Sequence, residues 1–228
     1  MRLRNILSNM PIPNGTVKEY AMGTRNLVCV VQDGKYKVGQ YGQWDGYPSG
    51  QGVIVLSFLK KIVRSPKTLG KFGEKVSELT EISDEALDKL WTEAGSVNGS
   101  ISCEKADIFG KSHPEFSRDT GAKILGLIYQ GKINEISNQV AFVGDGLFCE
   151  WAYVIDLDKK TFEIYQGFNK KPLTKKDRFY TFTAKPEKGE PGYYPAKVLQ
   201  EYRFNKLPTM KQFLVLEKGR DEDDKKSI

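Results

Sequence analysis

A chain of 228 residues with 39% hydrophobic and 11% aromatic side chains holds enough apolar material for one large domain or two small ones, and is expected to fold as a globular protein. Its formal charge of +6, from 35 basic against 29 acidic residues, is a mild excess spread along the chain, which argues against nucleic acid as a partner. No run approaches the roughly 18 apolar residues of a membrane span and no apolar secretory core opens the chain, so no membrane association and a cytoplasmic location are expected.

The three cysteines, Cys29, Cys103 and Cys149, are widely separated and read as buried thiols in a reducing compartment. His113 is the only histidine, which excludes the familiar zinc spacings and leaves no metal or organic cofactor indicated.

Residues 1–23 mix prolines, asparagines and short apolar pieces without a period, the pattern of a leader or peripheral arm. The stretch "TRNLVCVVQDGKYKVGQYGQ" then reads as a β-hairpin turning at Asp33-Gly34. A two-residue turn pairs Val31 with Tyr36, Cys29 with Val38, Leu27 with Gln40 and Arg25 with Gly42 on a mostly apolar side. The other side sets Val28 against Gly39, Asn26 against Tyr41 and Thr24 against Gln43, so the open end becomes a polar mouth.

That mouth runs into "QYGQWDGYPSGQG". Gly42, Gly46, Gly50 and Pro48 make it a shaped turn rather than a floppy one. Two readings are open. In one, Trp44 and Tyr47 plug the core while Asp45 bonds the turn backbone. In the other the turn faces a ligand, with Gln40, Gln43, Trp44 and Asp45 on its wall. "PSGQG" opening a helix can also present amide groups to an anion, although its glycine spacing fits neither a Walker loop nor a dinucleotide fingerprint.

"VIVLSFLKKIV" predicts a helix buried on a sheet. Residues 66–82 read as loop with a short helical piece, and Ser83 as the cap of a solvated helix packing Leu87, Leu90 and Trp91. Within "HPEFSRDTGAKILGLIYQG", Ser117 is expected to cap a helix that buries Ile124, Leu125 and Ile128 and ends at Gly131. Arg118 and Asp119 at its start suit binding of a carboxylate or phosphate, whereas His113 reads as a loop residue.

"GDGLFCEWAYV" sets Glu150 and Trp151 at the start of a strand. An acid beside Cys149 should raise its pKa, which argues against a cysteine nucleophile. "EWAYVIDLDKKTFEIYQG" reads as a second hairpin about Lys159-Lys160. Its core face carries Trp151, Tyr153, Ile155, Leu157, Phe162, Ile164, Gln166 and Phe168, and Asp156 and Glu163 fall on a face that is wet at the turn. Lys-Lys is poor type I′ chemistry, so a longer loop in another register stays open. Asp156 and Asp158 are read as turn solvation, not metal ligands.

Residues 169–195 are basic and proline-punctuated around a short strand, "RFYTFTA". "AKVLQEYRF" reads as a last strand, "LPTMKQFLVLEK" as a last helix with Pro208 in its first turn, and 219–228 as a disordered charged tail. The whole predicts one α+β domain over 24–218, in which antiparallel hairpins form layered sheets flanked by helices.

The stretch "MGTRNLVCVVQDGKYKVGQYGQWDGYPSGQG", with "SRDTG" and "FCEWAYVIDLDKKTFEIYQGF", resembles an uncharacterised family of bacteriophage and fungal proteins over roughly residues 22–170. The resemblance implies common ancestry and brings no activity. Its phage members imply a setting in which the chain acts on a host signal or defence pathway.

"GTRNLVCVVQDGKYKVG" is also similar to the opening of N-terminal-nucleophile hydrolases, in which a Thr, Ser or Cys begins a strand and its freed amine serves as base. That similarity implies an αββα sandwich and, once residues 1–23 are removed, Thr24 as nucleophile. The lysine that the threonine-type enzymes hold on the next strand has no counterpart here, and Met22-Gly23 offers no evident processing signal.

Three functions follow. One is a pocket for a small anionic or nucleotide-like ligand, lined by Arg25, Gln40, Gln43, Trp44, Asp45, Tyr47, Arg118, Asp119 and Glu150. The second is an amide or ester hydrolase in which Thr24 attacks and Gln43 or the turn amides meet the oxyanion. The third is a protein-interaction scaffold that uses the basic 169–194 region toward a host protein. The first two require the hairpin mouth and the Arg118 turn to share a water-accessible hollow.

Overall fold

The computed structural model describes residues 23–182 and 192–225, those beyond 217 as backbone alone. The expected leader, apart from Gly23, and part of the basic region lie outside the described residues. The fold is α+β, built on a five-stranded mixed sheet of order β2-β1-β5-β6-β7. Strands β1 (Asn26–Gln32) and β2 (Lys35–Gly42) form the first hairpin, and β5 (Trp151–Asp156) and β6 (Thr161–Gln166) the second. The two hairpins join through a parallel β1–β5 pairing, and β7 (Lys197–Arg203) closes the far side antiparallel to β6.

Central β1 is apolar on both faces because both are covered, as expected of a strand buried on two sides. Val28 and Val30 join Trp151, Tyr153, Ile155, Phe162 and Ile164 under a layer of helices. That layer comprises α1 (Val53–Ile62), α2 (Pro66–Ser77), α5 (Ile124–Tyr129) and α6 (Met210–Lys225), which bring Leu56, Leu59, Phe72, Leu125, Ile128 and Phe213. Leu27, Cys29 and Val31 face the other way with Ala152 and Val154, beneath loop residues Val143, Leu173 and Phe179.

α3 (Asp84–Glu93) and α4 (Cys103–Ser112) are more peripheral, and β3 (Thr80–Glu81) pairs with β4 (Glu135–Ile136) in a separate two-stranded sheet. The second packed sheet that an αββα sandwich requires is not found among the described residues.

Both hairpins turn where expected, with changed registers. At the first, Asp33 and Gly34 adopt positive φ of 54° and 69°, as a type I′ turn requires. Val31 pairs with Tyr36 as predicted, but Val30 pairs with Val38, so Lys37 is bulged and every later pair slips by one residue. The slip moves Val38 and Gln40 to the helix face and Tyr41 to the other face. At the second hairpin, Asp156 pairs with Thr161, so the loop is the four residues Leu157 to Lys160. This offset of two preserves the predicted faces.

Several expected elements are corrected. Residues 66–77 form a full helix: Ser65 caps it, accepting from the Thr68 amide at 3.2 Å, and Pro66 occupies its first turn. Ser117 does not cap the helix that follows it; a 3₁₀ turn at Gly121–Lys123 leads into α5 instead. That helix does end at Gly131, whose φ is +66°.

"RFYTFTA" holds a 3₁₀ turn, Tyr180–Phe182, in place of a strand. Pro208 precedes the last helix, and Thr209 and Gln212 cap it reciprocally. α6 continues to Lys225, into the segment read as a disordered tail. Cys103 is exposed, unlike buried Cys29 and Cys149.

Candidate functional site

The hairpin mouth and the Ser117–Thr120 turn are joined directly. The Gln43 amide donates to the Arg118 carbonyl at 3.0 Å. The Trp44 indole Nε1 donates to Asp119 Oδ1 at 2.8 Å. Gln40 donates through Nε2 to the Ser117 carbonyl at 3.1 Å. Two segments over 70 residues apart in sequence therefore form one wall.

Within the turn, Gly46 is needed because its backbone passes under β1: its amide donates to the Thr24 carbonyl at 2.8 Å, and a Cβ there would lie 2.7 Å from the same oxygen. Asp45 adopts φ +54°, and its carbonyl accepts from the Gln51 amide at 2.8 Å. Gln51 reaches back through Nε2 to the Trp44 carbonyl at 3.1 Å, and its Oε1 accepts from the Ala122 amide at 2.8 Å. The buried Tyr153 hydroxyl donates to the Gly46 carbonyl. Each residue from Gln43 to Gly46 thus has a backbone group hydrogen-bonded elsewhere in the chain.

Trp44 and Tyr47 are 44% and 37% exposed and Asp45 is exposed, so they do not plug the core. Gln40 is buried, and its amide binds the Ser117 and Tyr41 carbonyls; it ties the walls together instead of facing solvent. Thr24 is 3% exposed. Arg25 lies 4.6 Å over the Phe148 ring, and its amide donates to Glu150 Oε1 at 3.4 Å, which places Glu150 beside the same mouth.

The Tyr41 hydroxyl donates to Gln43 Oε1. Burial raises its pKa above the ordinary phenol value, against the pull of the nearby Arg25 and Arg118 guanidiniums. Beyond Asp119 a cleft of about 280 Å³ opens against α4, with Lys111, Lys123, Ser117 and Thr120 on its walls.

Sequence reasoning missed Tyr41, Phe148 and Gln51. Leu147 and Phe148, both exposed, are adjacent apolar residues after Gly144 and Gly146, which is the signal that could have found them. Tyr41 became legible only with the Lys37 bulge.

A second polar cluster lies on the loop-covered face. Arg178 donates from Nε to Glu163 Oε2 at 2.6 Å and from Nη2 to both Asp156 and Glu163. The Thr161 and Tyr165 hydroxyls also donate to Glu163. Asp156 and Glu163 are 1% and 3% exposed, so the face expected to be wet is sealed. Burial works to lower the Arg178 pKa, but its bonds to Glu163 and Asp156 prevail and raise it. The network is fully bonded, and it fastens the 169–182 loop to the sheet.

Asp158 bridges the two hairpin turns, accepting from the Asp33 and Gly34 amides at 3.0 and 2.9 Å. Among the described residues no group of three or more His, Cys, Asp or Glu is placed to hold a metal ion, and no helix is long and apolar enough to cross a membrane.

Fold and site together define an α+β protein with an aromatic mouth at one end of its five-stranded mixed sheet. No protein family, curated protein or solved structure matches the chain.

Proposed function

We propose that this chain binds a small anionic ligand at the mouth of the first hairpin, between Arg25 and Arg118. The observation that carries the reading is the junction itself: Trp44 to Asp119 at 2.8 Å and Gln43 to Arg118 at 3.0 Å. It supports a shared hollow whose polar groups are set before a ligand arrives. Preset geometry favours affinity because less ordering remains to be done on binding.

Guanidinium groups suit carboxylates and phosphates, since each presents planar paired donors. A phage factor that acts on a host signal or defence pathway is the setting this reading expects. Hydrolysis through Thr24 has less support, because that residue is 3% exposed and its carbonyl already accepts from Gly46. The scaffold reading has less still: Arg178, from its basic region, is committed to buried acids.

The test is thermal denaturation with inorganic phosphate, malonate and adenosine 5′-monophosphate. A probe at about 100 times its Kd adds about 2.7 kcal/mol, or about 5–10 °C for a chain of this size. Arg25→Ala and Arg118→Ala should each remove the shift. No shift with any probe, or a shift that survives both substitutions, would overturn the proposal.

A further inference from the structure

The two edges of the five-stranded sheet are finished differently. At β2 a neighbouring loop covers the edge: Asn138 donates through Nδ2 to the Tyr36 carbonyl at 2.7 Å, the Gln139 amide to the Gly39 carbonyl at 2.8 Å, and the Tyr41 amide to Gln139 Oε1 at 3.1 Å. β7 is the other edge. Among the described residues, the only hydrogen bond on its outer side comes from within the strand, from Gln200 Nε2 to the Glu201 carbonyl at 2.9 Å. An edge left bare in this way is a template for another strand.

The ladder fixes which groups that edge offers. The Phe204 amide donates to the Lys160 carbonyl at 2.9 Å, and Tyr202 and Gln200 stand opposite Phe162 and Ile164. Residues of an antiparallel strand turn their N–H and C=O alternately toward and away from the neighbour, so Glu201 and Arg203 turn theirs outward. Both side chains are exposed. They share one face of the sheet, since Glu201 is opposite Glu163 and Arg203 opposite Thr161, and neither has an ion-pair partner among the described residues. Leu199 is bulged, because Ile164 pairs with Gln200 and Tyr165 with Val198. The bulge ends the regular edge and leaves Val198 and Leu199 43% and 40% exposed beside it.

We infer that a second copy of this chain pairs with this edge, β7 running antiparallel to the partner's β7 about a two-fold axis at Tyr202. A two-fold ladder must set outward-turned residues opposite each other. Centred on Glu201 or on Arg203, it would oppose like charges. Centred on Tyr202, it sets Glu201 opposite the partner's Arg203 and Arg203 opposite the partner's Glu201, so each pair exchanges backbone hydrogen bonds and joins opposite charges on one face. The edge thus complements itself, whereas a uniformly acidic or basic strand from another protein would satisfy only one of its two charges. β5 and β6 lie between β7 and β1, so the inference is independent of the ligand reading at the mouth.

Sedimentation velocity of the full chain between about 10 µM and about 1 mM, a range suited to a small interface, tests it. The dimer fraction should rise with concentration. Glu201→Arg and Arg203→Glu each put like charges opposite one another in both pairs and should weaken the dimer about tenfold or more. The double exchange restores opposite charges and should bring the affinity back within about threefold of wild type. Glu201→Pro removes only an outward N–H, so it should abolish the dimer while the urea midpoint stays near that of the wild-type monomer.

A wild-type chain that stays monomeric across this range would overturn the inference without recourse to any variant. So would a dimer indifferent to Glu201→Pro, or one that the double exchange does not restore. Should the proline variant fail to fold, the charge exchanges decide alone.

Discussion

Glu217, on the last helix, accepts two hydrogen bonds from Ser49, one from its amide at 2.9 Å and one from its hydroxyl at 3.0 Å, across 168 residues of chain. Ser49 sits in the turn Pro48–Gly52 that runs straight into α1, where helical amides have no partner within the helix and a negative charge is favoured. The anion expected at "PSGQG" is thus the chain's own carboxylate. The same helix buries Phe213 against Phe162, with ring centroids 5.9 Å apart. The C-terminal helix therefore braces the turn that carries Trp44.

Glu217→Ala should accordingly destabilise the fold by about 1–2 kcal/mol, the range for losing a charged partner at a helix start. Glu217→Gln keeps an acceptor without the charge and should lose roughly half as much. Urea denaturation measures both. If the alanine variant unfolds at the wild-type midpoint, the contact contributes nothing to bracing.

Arg178 offers a larger effect. Its removal in Arg178→Met leaves Asp156 and Glu163 buried without their cation and should cost about 3–5 kcal/mol. Replacing all three groups, as Asp156→Asn, Glu163→Gln and Arg178→Met together, removes the unpaired charge and should cost less than the single change. The ordering of the two denaturation midpoints is the readout; a triple variant weaker than the single one would contradict it.

This network shows why part of the molecule was not legible in the sequence. Asp156 and Glu163 look like solvated turn acids, because charged residues are usually exposed. Their partner lies 22 and 15 residues further on, in a loop with no periodicity to announce it. The second hairpin's faces were nonetheless readable, since an offset of two leaves every side chain on its original side.

The first hairpin was harder. An alternation such as Lys35-Tyr36-Lys37-Val38 does not mark a bulge, and a slip of one exchanges faces. α2 reads in the sequence as only a short helical piece because Gly70 and Gly73 weaken a helical pattern, although Ser65-Pro66 and the spacing of Leu69, Phe72 and Val76 signal the full helix. At the site, the meeting of Trp44 with the Arg118 turn was a requirement of the binding reading, and no residue pattern derived it. The commitment of Gln40 to backbone carbonyls was not legible either, because it depends on the bulge.

Thr24 separates binding from hydrolysis. A nucleophile there needs its α-amine freed by loss of residues 1–23. If the mouth only binds, intact mass of the purified chain should show those residues retained, and Thr24→Ala should leave anion binding within about twofold, since the change removes no charge. A product that begins at Thr24, together with loss of amide- or ester-cleaving activity in Thr24→Ala, would favour the hydrolase instead.

The buried thiols contribute to the loss of stability at alkaline pH. Burial, opposed by Arg178 and aided by Glu163, pushes the Cys29 thiol from 9.0 up to about 12, and burial raises Cys149 in the same direction. Between these values the unfolded chain releases a proton that the folded chain keeps. The stabilisation is therefore complete below about pH 9 and is lost as pH rises toward 12, by about 1.4 kcal/mol per pH unit for each such group. Cys29→Ala should flatten this decline: between about pH 9 and 10.5 it should lose about 1–2 kcal/mol less than the wild-type chain in urea denaturation. Equal slopes would mean that Cys29 is not protonated by its burial. The same burial predicts that a thiol reagent at neutral pH labels exposed Cys103 quickly and leaves Cys29 and Cys149 unreacted until the chain unfolds.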